Sequence, residues 1–579
     1  MAQKQSIEKN KILNSIIILL SIVGLIVCIA ILFPQTRHKM MDMAEQIVGK
    51  KSSLYQYWIR ALLSYSMGGI CLILFFDYCT LTKSGKLLVF KVKQEIIDCL
   101  SEINFRSFIK PVILLSVVYL LGILTIIRAN FLYIDDIGRT AAGFRVWYDD
   151  SRYISEFGSI FIHADTHLTD ISPLPLLLAI LILSLSSVLL VYVICNRKIT
   201  TVRLLASIPL GLSPYYLECL SYKFDAPYMA LSILASIVPF LFINRKKAFI
   251  FCSVAFLLVM CMTYQAVAGI YMSIVVILCF KYWNSREKQN KEILSFLGTS
   301  ILSFCFAMLF FKLFLMKPSD FSTLPLPQLF PGILNNIKSY VTTINSDFGV
   351  IWKTGILFVS LFFISKSLFV SEQRKIHSLL ISIPVIVISF ILSFGIYLLL
   401  PDLWFLPRNL IGFGVFLAII CIYAVSDYKK IATIVILALN WCFFVFAFSY
   451  GNALADQSRY ADFRIKILLH DLSTLYPNAG REDLSIQILN SIDYTPLIKS
   501  ISKNNPVIEK LVPKRLDQNL GWDYFYFLEY FNYIKFKMSN IPSNSLYIDF
   551  TTLNLPVVLD SYYHTIKSDG NRILVVLKH

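Results

Sequence analysis

The densest run of chemically capable side chains lies between Asn130 and His167. It reads Asn130-Phe-Leu-Tyr-Ile-Asp135-Asp136-Ile-Gly138-Arg139, continues through Arg145, Trp147 and Arg152, and ends in His163-Ala-Asp165-Thr-His167. Asp135 and Asp136 are either a solvated loop pair or a general base with a supporting acid. An ionised carboxylate raises the pKa of its neighbour and a nearby guanidinium lowers it, so the cluster is tunable. If the segment is helical, Arg139 lies one turn beyond Asp135, where it makes a salt bridge, touches a lipid headgroup or offers its planar fork to a phosphate. Spacing does not say which of the two acids would be the base.

A second candidate cluster is Ser213-Pro-Tyr-Tyr-Leu-Glu218-Cys-Leu-Ser-Tyr222-Lys223-Phe-Asp225. Asp225 is a reserve base and Lys223 a further phosphate ligand. Glu218 sits in an apolar run, where an unpaired charge costs ~2.5 kcal/mol or more in a membrane, so it is expected to be paired or functional. Tyr222 is a substrate contact or an interfacial anchor. A third cluster, Pro401-Asp402-Leu-Trp404-Phe-Leu-Pro407-Arg408-Asn409, adds Arg408 for phosphate and Trp404 for substrate. The candidate substrate contacts are then Arg152, Tyr222, Glu218 and Trp404. His163 and His167 flank Asp165, but two histidines and an acid lack a third fixed ligand, so no metal site is assigned. No cofactor is expected, and nothing indicates a divalent metal.

These groups must be placed by membrane-spanning helices. Of 579 residues 57% are apolar and only 15% charged, with a mean hydropathy of +0.67, which excludes an ordinary soluble core. About thirteen apolar runs approach the length that crosses a hydrocarbon core ~30 Å thick. The first, 12–33, ends in Phe-Pro-Gln without a small-residue cleavage pattern and reads as an uncleaved span. The net charge of +17 is spread over short clusters between these runs, a positive-inside pattern and not a nucleic-acid surface. The clusters are the linker from Lys83 to Lys110, then Arg197/Lys198/Arg203, Arg245/Lys246/Lys247, Arg286/Lys288/Lys291, Arg374/Lys375 and Lys429/Lys430. Most of the twelve cysteines lie inside apolar runs, as small buried hydrophobes do.

Neighbouring basic clusters must be joined by an even number of crossings. By that parity 248–282 is a hairpin turning near Tyr264-Gln265, and 204–243 a hairpin with Lys223 and Asp225 at its tip. The N-terminus is then cytoplasmic, and 128–172, 317–349 and the C-terminus are external. The basic residues Arg37, Lys39, Lys50 and Lys51 fit this least well. The expected architecture is an all-α polytopic membrane protein in three parts. Residues 1–110 hold two spans and a basic linker, 111–450 form the core, and 451–579 form a small external α/β domain. That domain has an amphipathic stretch (Asp462 to Tyr476), an aromatic one (Trp522 to Phe536) and strand-like runs at 546–550 and 573–577.

Taken together, Tyr133-Ile-Asp-Asp-Ile-Gly-Arg139, Ser213-Pro-Tyr with Ser221-Tyr-Lys-Phe-Asp225, Thr263-Tyr-Gln-Ala266 and Pro407-Arg-Asn409 resemble the serotype-converting O-antigen glucosyltransferases. These are phage-associated membrane enzymes of enteric bacteria, and the resemblance covers roughly 111–450. It implies a GT-C type fold in the bacterial inner membrane. It also implies an inverting transfer of glucose from polyprenyl-phosphate glucose to the O-antigen of lipopolysaccharide on the periplasmic face. An acid of the first outer loop would be catalytic, which matches Asp135 or Asp136. A flippase and a polyprenyl-phosphate glucosyltransferase would be functional partners, with no nucleic acid involved. A lipid-linked glycan flippase, or an O-antigen polymerase or ligase, is the alternative.

Overall fold

A computed structural model describes residues 78–80, 82–317, 323–401, 403, 405–425, 430–477, 485–517, 537–538 and 549–578. The expected span 12–33, nearly all of 59–79, Trp404 and the aromatic stretch from Trp522 lie outside the described residues. What is described is mainly helical. Seven helices are long and apolar enough to cross a membrane: Arg106–Ala129, Leu174–Ile194, Gln265–Asn284, Asn290–Leu315, Val350–Val370, Lys375–Leu392 and Lys430–Leu475.

The hairpin expected over 204–243 has no arm of membrane length. Its first arm is three short helices, Thr201–Leu205, Pro209–Leu212 and Pro214–Ser221. Proline lacks an amide hydrogen and keeps the residue before it out of the helical region. Ser213, before Pro214, is accordingly extended, with φ −60° and ψ 144°. The returning arm, Ala226–Ile237, ends in a 3-10 turn. The 248–282 stretch does fold as a hairpin: helices Lys246–Cys261 and Gly269–Asn284 meet at a turn containing Tyr264 and Gln265.

The two ends of the bundle differ chemically. At one end Glu102 pairs with Arg197 and Arg245, and Asn196 accepts from Lys281 and donates to Glu287. There too the Glu95 carboxylate accepts the amides of Lys247 and Ala248, capping the helix Lys246–Cys261. The helices Arg106–Ala129 and Leu174–Ile194 run between this end and the opposite one. At the opposite end lie Asp135, Asp225, Tyr264 and Arg408.

The final long helix, Lys430–Leu475, has 46 residues and a length of about 69 Å. The expected span 431–450 and the amphipathic stretch beyond it are therefore one rod, more than twice the hydrocarbon thickness. Gly451 lets this rod press against Thr125 of the helix Arg106–Ala129. Further along, Ala461, Ile465, Leu468, Leu469 and Leu472 form one buried stripe. They pack on a five-stranded sheet of order β2-β1-β5-β4-β3. Its strands are β1 (Ser485–Leu489), β2 (Lys537–Met538), β3 (Val557–Asp560), β4 (His564–Ser568) and β5 (Arg572–Leu577). β1 runs parallel to β2 and β5, while β4 runs antiparallel to β3 and β5. The strand expected at 573–577 is β5. Of the one expected at 546–550, the described part is Asp549 and Phe550, which open a 3-10 turn because the Asp549 carboxylate caps the Thr551 amide.

Candidate active site

The helix Arg106–Ala129 stops at Asn130, whose left-handed conformation (φ 45°) closes its C-terminus. After an extended turn the helix Asp135–Ala142 begins, with both acids in its first turn, where the helix dipole favours negative charge. The two acids then part company. Asp136 is fully buried, and its Oδ2 accepts the amides of Tyr133 (3.3 Å) and Lys223 (3.0 Å). Its Oδ1 is buried without a partner. Burial pushes its pKa up to about 8, opposed in part by the Lys223 amide and the Arg139 charge. Asp135 is half-buried, and among the described residues its carboxylate has no hydrogen-bond or ion-pair partner. Burial raises its pKa, while Arg139, Arg408 and Arg152 pull it down and Asp225 adds to the rise.

Asp225 is fully engaged. One oxygen pairs with the Arg139 guanidinium and the other accepts Trp147 Nε1 at 2.5 Å, with Arg152 at 4.0 Å. Arg139 lies 4.2 Å from the centroid of the Trp147 ring. Lys223 lends its amide to the site, but its ammonium points away, to Asn130 (2.6 Å) and Asp170 (3.0 Å). Glu218 accepts the Arg408 amide at 2.5 Å and the Tyr133 hydroxyl at 3.3 Å, with the Arg408 guanidinium at 3.5 Å. This acid in an apolar run is thus paired, as its placement requires. Arg408 also donates to the Tyr222 hydroxyl. The Tyr264 hydroxyl donates to the Arg408 carbonyl at 3.2 Å, and the Arg152 guanidinium lies 5.0 Å from the Tyr264 ring.

The cations therefore divide. The side chains of Arg152 and Arg408 are 21% and 26% exposed, against 7% for Arg139 and 5% for Lys223. Arg152 also carries a buried, unpartnered Nε. Both guanidiniums have partners, Arg152 with Asp150 at 3.4 Å and Arg408 with Glu218 and Tyr222. Being partly exposed, they can also take a phosphate beside the unpartnered Asp135 carboxylate, which can take a proton.

The histidines do not join this cluster. His163 stacks on Phe224, the His167 imidazole lies against Gly143, and Asp165 caps the amides of Thr166 and His167. Among the described residues no group of three or more His, Cys, Asp or Glu side chains is arranged to hold a metal. Sequence reasoning gave no role to Tyr133, Trp147, Tyr264 or Arg515. The first three lie inside or beside the motifs, so their position was a signal. Arg515, which donates to the Leu132 carbonyl from the C-terminal domain, has no local signal at all.

Among the described residues seven apolar helices have membrane-spanning length, with the charged cluster at one end, as in a polytopic membrane protein. Residues 124–425, more than half of the chain, match the GtrII glucosyl transferase family, and the protein belongs to that family of glycosyltransferases. It is also similar to a Salmonella phage P22 protein described as an uncharacterized 55.3 kDa protein in the gtrB 5′ region. The two are 24% identical over 447 residues, covering 72% of this chain and 89% of the relative. No solved structure matches.

Proposed function

We propose that the protein transfers glucose, with inversion, from polyprenyl-phosphate glucose to the O-antigen of lipopolysaccharide on the periplasmic face of the inner membrane. Asp135 is the base, and Arg152 and Arg408 hold the donor phosphate. The observation that carries this reading is the open Asp135 carboxylate among guanidiniums whose nearest competitors are already paired. In the reaction the acceptor hydroxyl attacks the anomeric carbon from the face opposite the phosphate and gives its proton to Asp135. The anomeric carbon–oxygen bond breaks as the new one forms, and its electron pair leaves on polyprenyl phosphate. A positioned base contributes ~10²–10⁴-fold, and charge stabilisation of the leaving phosphate adds comparably. A phosphate leaving group needs little acid assistance, so a single open carboxylate suffices.

Asp136 and the Arg139–Asp225 pair are framework in this reading. Tyr222 and Glu218 orient Arg408. Family membership supports the transfer, and the motifs' resemblance to the serotype-converting glucosyltransferases supports a lipid-linked glucose donor. The test is transfer of radiolabelled glucose from polyprenyl-phosphate glucose to O-antigen in membranes. Asp135→Asn is expected to abolish transfer and Asp136→Asn to retain it. Full transfer by the Asp135→Asn enzyme sinks the assignment of the base.

A further inference from the structure

We propose that the C-terminal domain clamps the segment preceding Asp135, through Arg515, Leu511 and the pocket that takes Leu132 and Ile137, and so positions the base without touching substrate. The proposal rests on Asp135 being that base.

Every residue from Phe131 to Tyr133 is gripped from this domain. The Arg515 guanidinium lies 4.0 Å from the Phe131 ring centroid and donates to the Leu132 carbonyl. The Tyr133 hydroxyl donates to the Leu511 carbonyl at 2.7 Å. That carbonyl ends the short helix Val507–Leu511 and so has no helical partner of its own. Leu132 and Ile137, on either side of the acid pair, join the apolar core that the domain forms with Ile465, Leu468 and Leu472.

The clamp is itself anchored. Arg515 is 3% exposed, and its carbonyl accepts the Ile492 amide at 2.8 Å. Lys510 pairs with Asp347 at 2.5 Å, and Tyr215 donates to the same carboxylate at 2.8 Å. Tyr450, on the long helix, donates to the Leu511 carbonyl at 3.3 Å.

Between the grips and the base stands Ile134, with φ 22° and ψ −91°. A β-branched residue at positive φ persists only where its surroundings enforce it. Within the bundle the turn is held by the Asp136 carboxylate accepting the Tyr133 amide, by the Asp136 amide donating to the Tyr133 carbonyl at 2.7 Å, and by Glu218 and the Tyr222 ring beside Tyr133. Residues 511 and 515 add the holds from the C-terminal domain. A displacement of about 1 Å at a reacting group is enough to cost ~10²-fold in rate.

The charged groups facing Asp135 are Arg139 on its own helix, Arg152 on the loop after it, Glu218 on the helix Pro214–Ser221, Asp225 in the turn that follows that helix, and Arg408, with Asp136 the next residue in the chain. Arg515→Lys leaves all of these in place and keeps a positive charge at 515, but removes the fork. Loosening the turn then hydrates Asp135.

The full-length enzyme is assayed in membranes with polyprenyl-phosphate glucose, alongside Asp135→Asn. Arg515→Ala is expected to lower kcat about tenfold or more with donor KM nearly unchanged, and Arg515→Lys to recover part of it. In Arg515→Lys and Ile137→Ala the acid limb of kcat moves to lower pH, which a smaller fraction of folded enzyme cannot produce. If Arg515→Ala fails to accumulate, that limb decides. Wild-type kcat and an unmoved limb in these variants, with Asp135→Asn inactive, overturn the clamp. Transfer by Asp135→Asn overturns instead the reading on which the clamp rests.

Discussion

At the residue scale, two adjacent aspartates have different surroundings, one buried on two backbone amides and the other half-buried and unpartnered among the described residues. Burial raises the Asp135 pKa, so its base form gathers at a higher pH than an ordinary carboxylate's ~3.9. Transfer is expected to rise with pH through that displaced value, and a pH profile of kcat reads it directly. Asp136 has the opposite relation to stability. Its folded pKa of about 8 lies above the unfolded ~3.9, so the native state holds the proton more tightly. Its stabilising contribution is whole below about pH 4 and is lost as the pH climbs through about 8. Asp136→Asn mimics the protonated acid and keeps an oxygen for the two amides. The variant's melting temperature in detergent is therefore expected to fall less than the wild type's between about pH 5 and 9. The arginines separate by the same reasoning. Arg152→Ala and Arg408→Ala should impair donor use, with Lys restoring only part because it lacks the bidentate fork. Arg139→Ala removes the buried Asp225 carboxylate's close cation, leaving it Trp147 Nε1 and the more distant Arg152, and should cost up to roughly 3–5 kcal/mol of stability. Donor kinetics and thermal melts on the three variants distinguish a ligand from a strut.

At the element scale, the site depends on how closely two helices approach. The helix Arg106–Ala129 delivers the chain to Asp135, and its last turns lie against the long helix at Gly451. A side chain there meets Thr125 backbone and side-chain atoms at less than contact distance. Gly451→Leu is expected to destabilise by roughly 1–3 kcal/mol, as overpacking does, and to depress transfer by tilting the helix that launches the acidic turn. A normal melting temperature and normal transfer would show that the approach is not needed. The broken helices of 201–221 serve the same end. Prolines 209 and 214 stop a continuous rod from forming, which leaves Glu218 on a short buried helix, and Tyr222 just past its end, facing Arg408 and Tyr133.

At the scale of the whole molecule, basic clusters gather at one end and the candidate site at the other. Reporters fused at residues 90, 245 and 290 are expected to read cytoplasmic, and those at 155 and 330 external. An external reading at 245 would reverse the hairpins and place the site on the wrong face for a flipped lipid donor. With that orientation the 46-residue helix is expected to carry the chain out of the bilayer and on to the C-terminal sheet as one continuous helix.

The sequence by itself determined the helical, apolar character, the hairpin at Tyr264-Gln265, the final strand and the residues that gather at the site. All follow from local properties: run length, side-chain periodicity and charge placed where burial would be costly. Asp135, Arg139, Glu218, Asp225 and Arg408 stood out because ionisable groups beside apolar runs need a reason to be there. Only the tertiary structure decided which of them pair with one another and which stay open. Whether Asp135 or Asp136 is open depends on the Lys223 amide arriving from 87 positions away. Asp225 and Lys223 are occupied because Arg139, Trp147, Asn130 and Asp170 reach them across loops. The continuity of the last helix was hidden because hydropathy falls near residue 451 while helical backbone does not. Arg515 was invisible because its partner carbonyl is 383 positions earlier, and no local pattern records a contact that only chain folding makes.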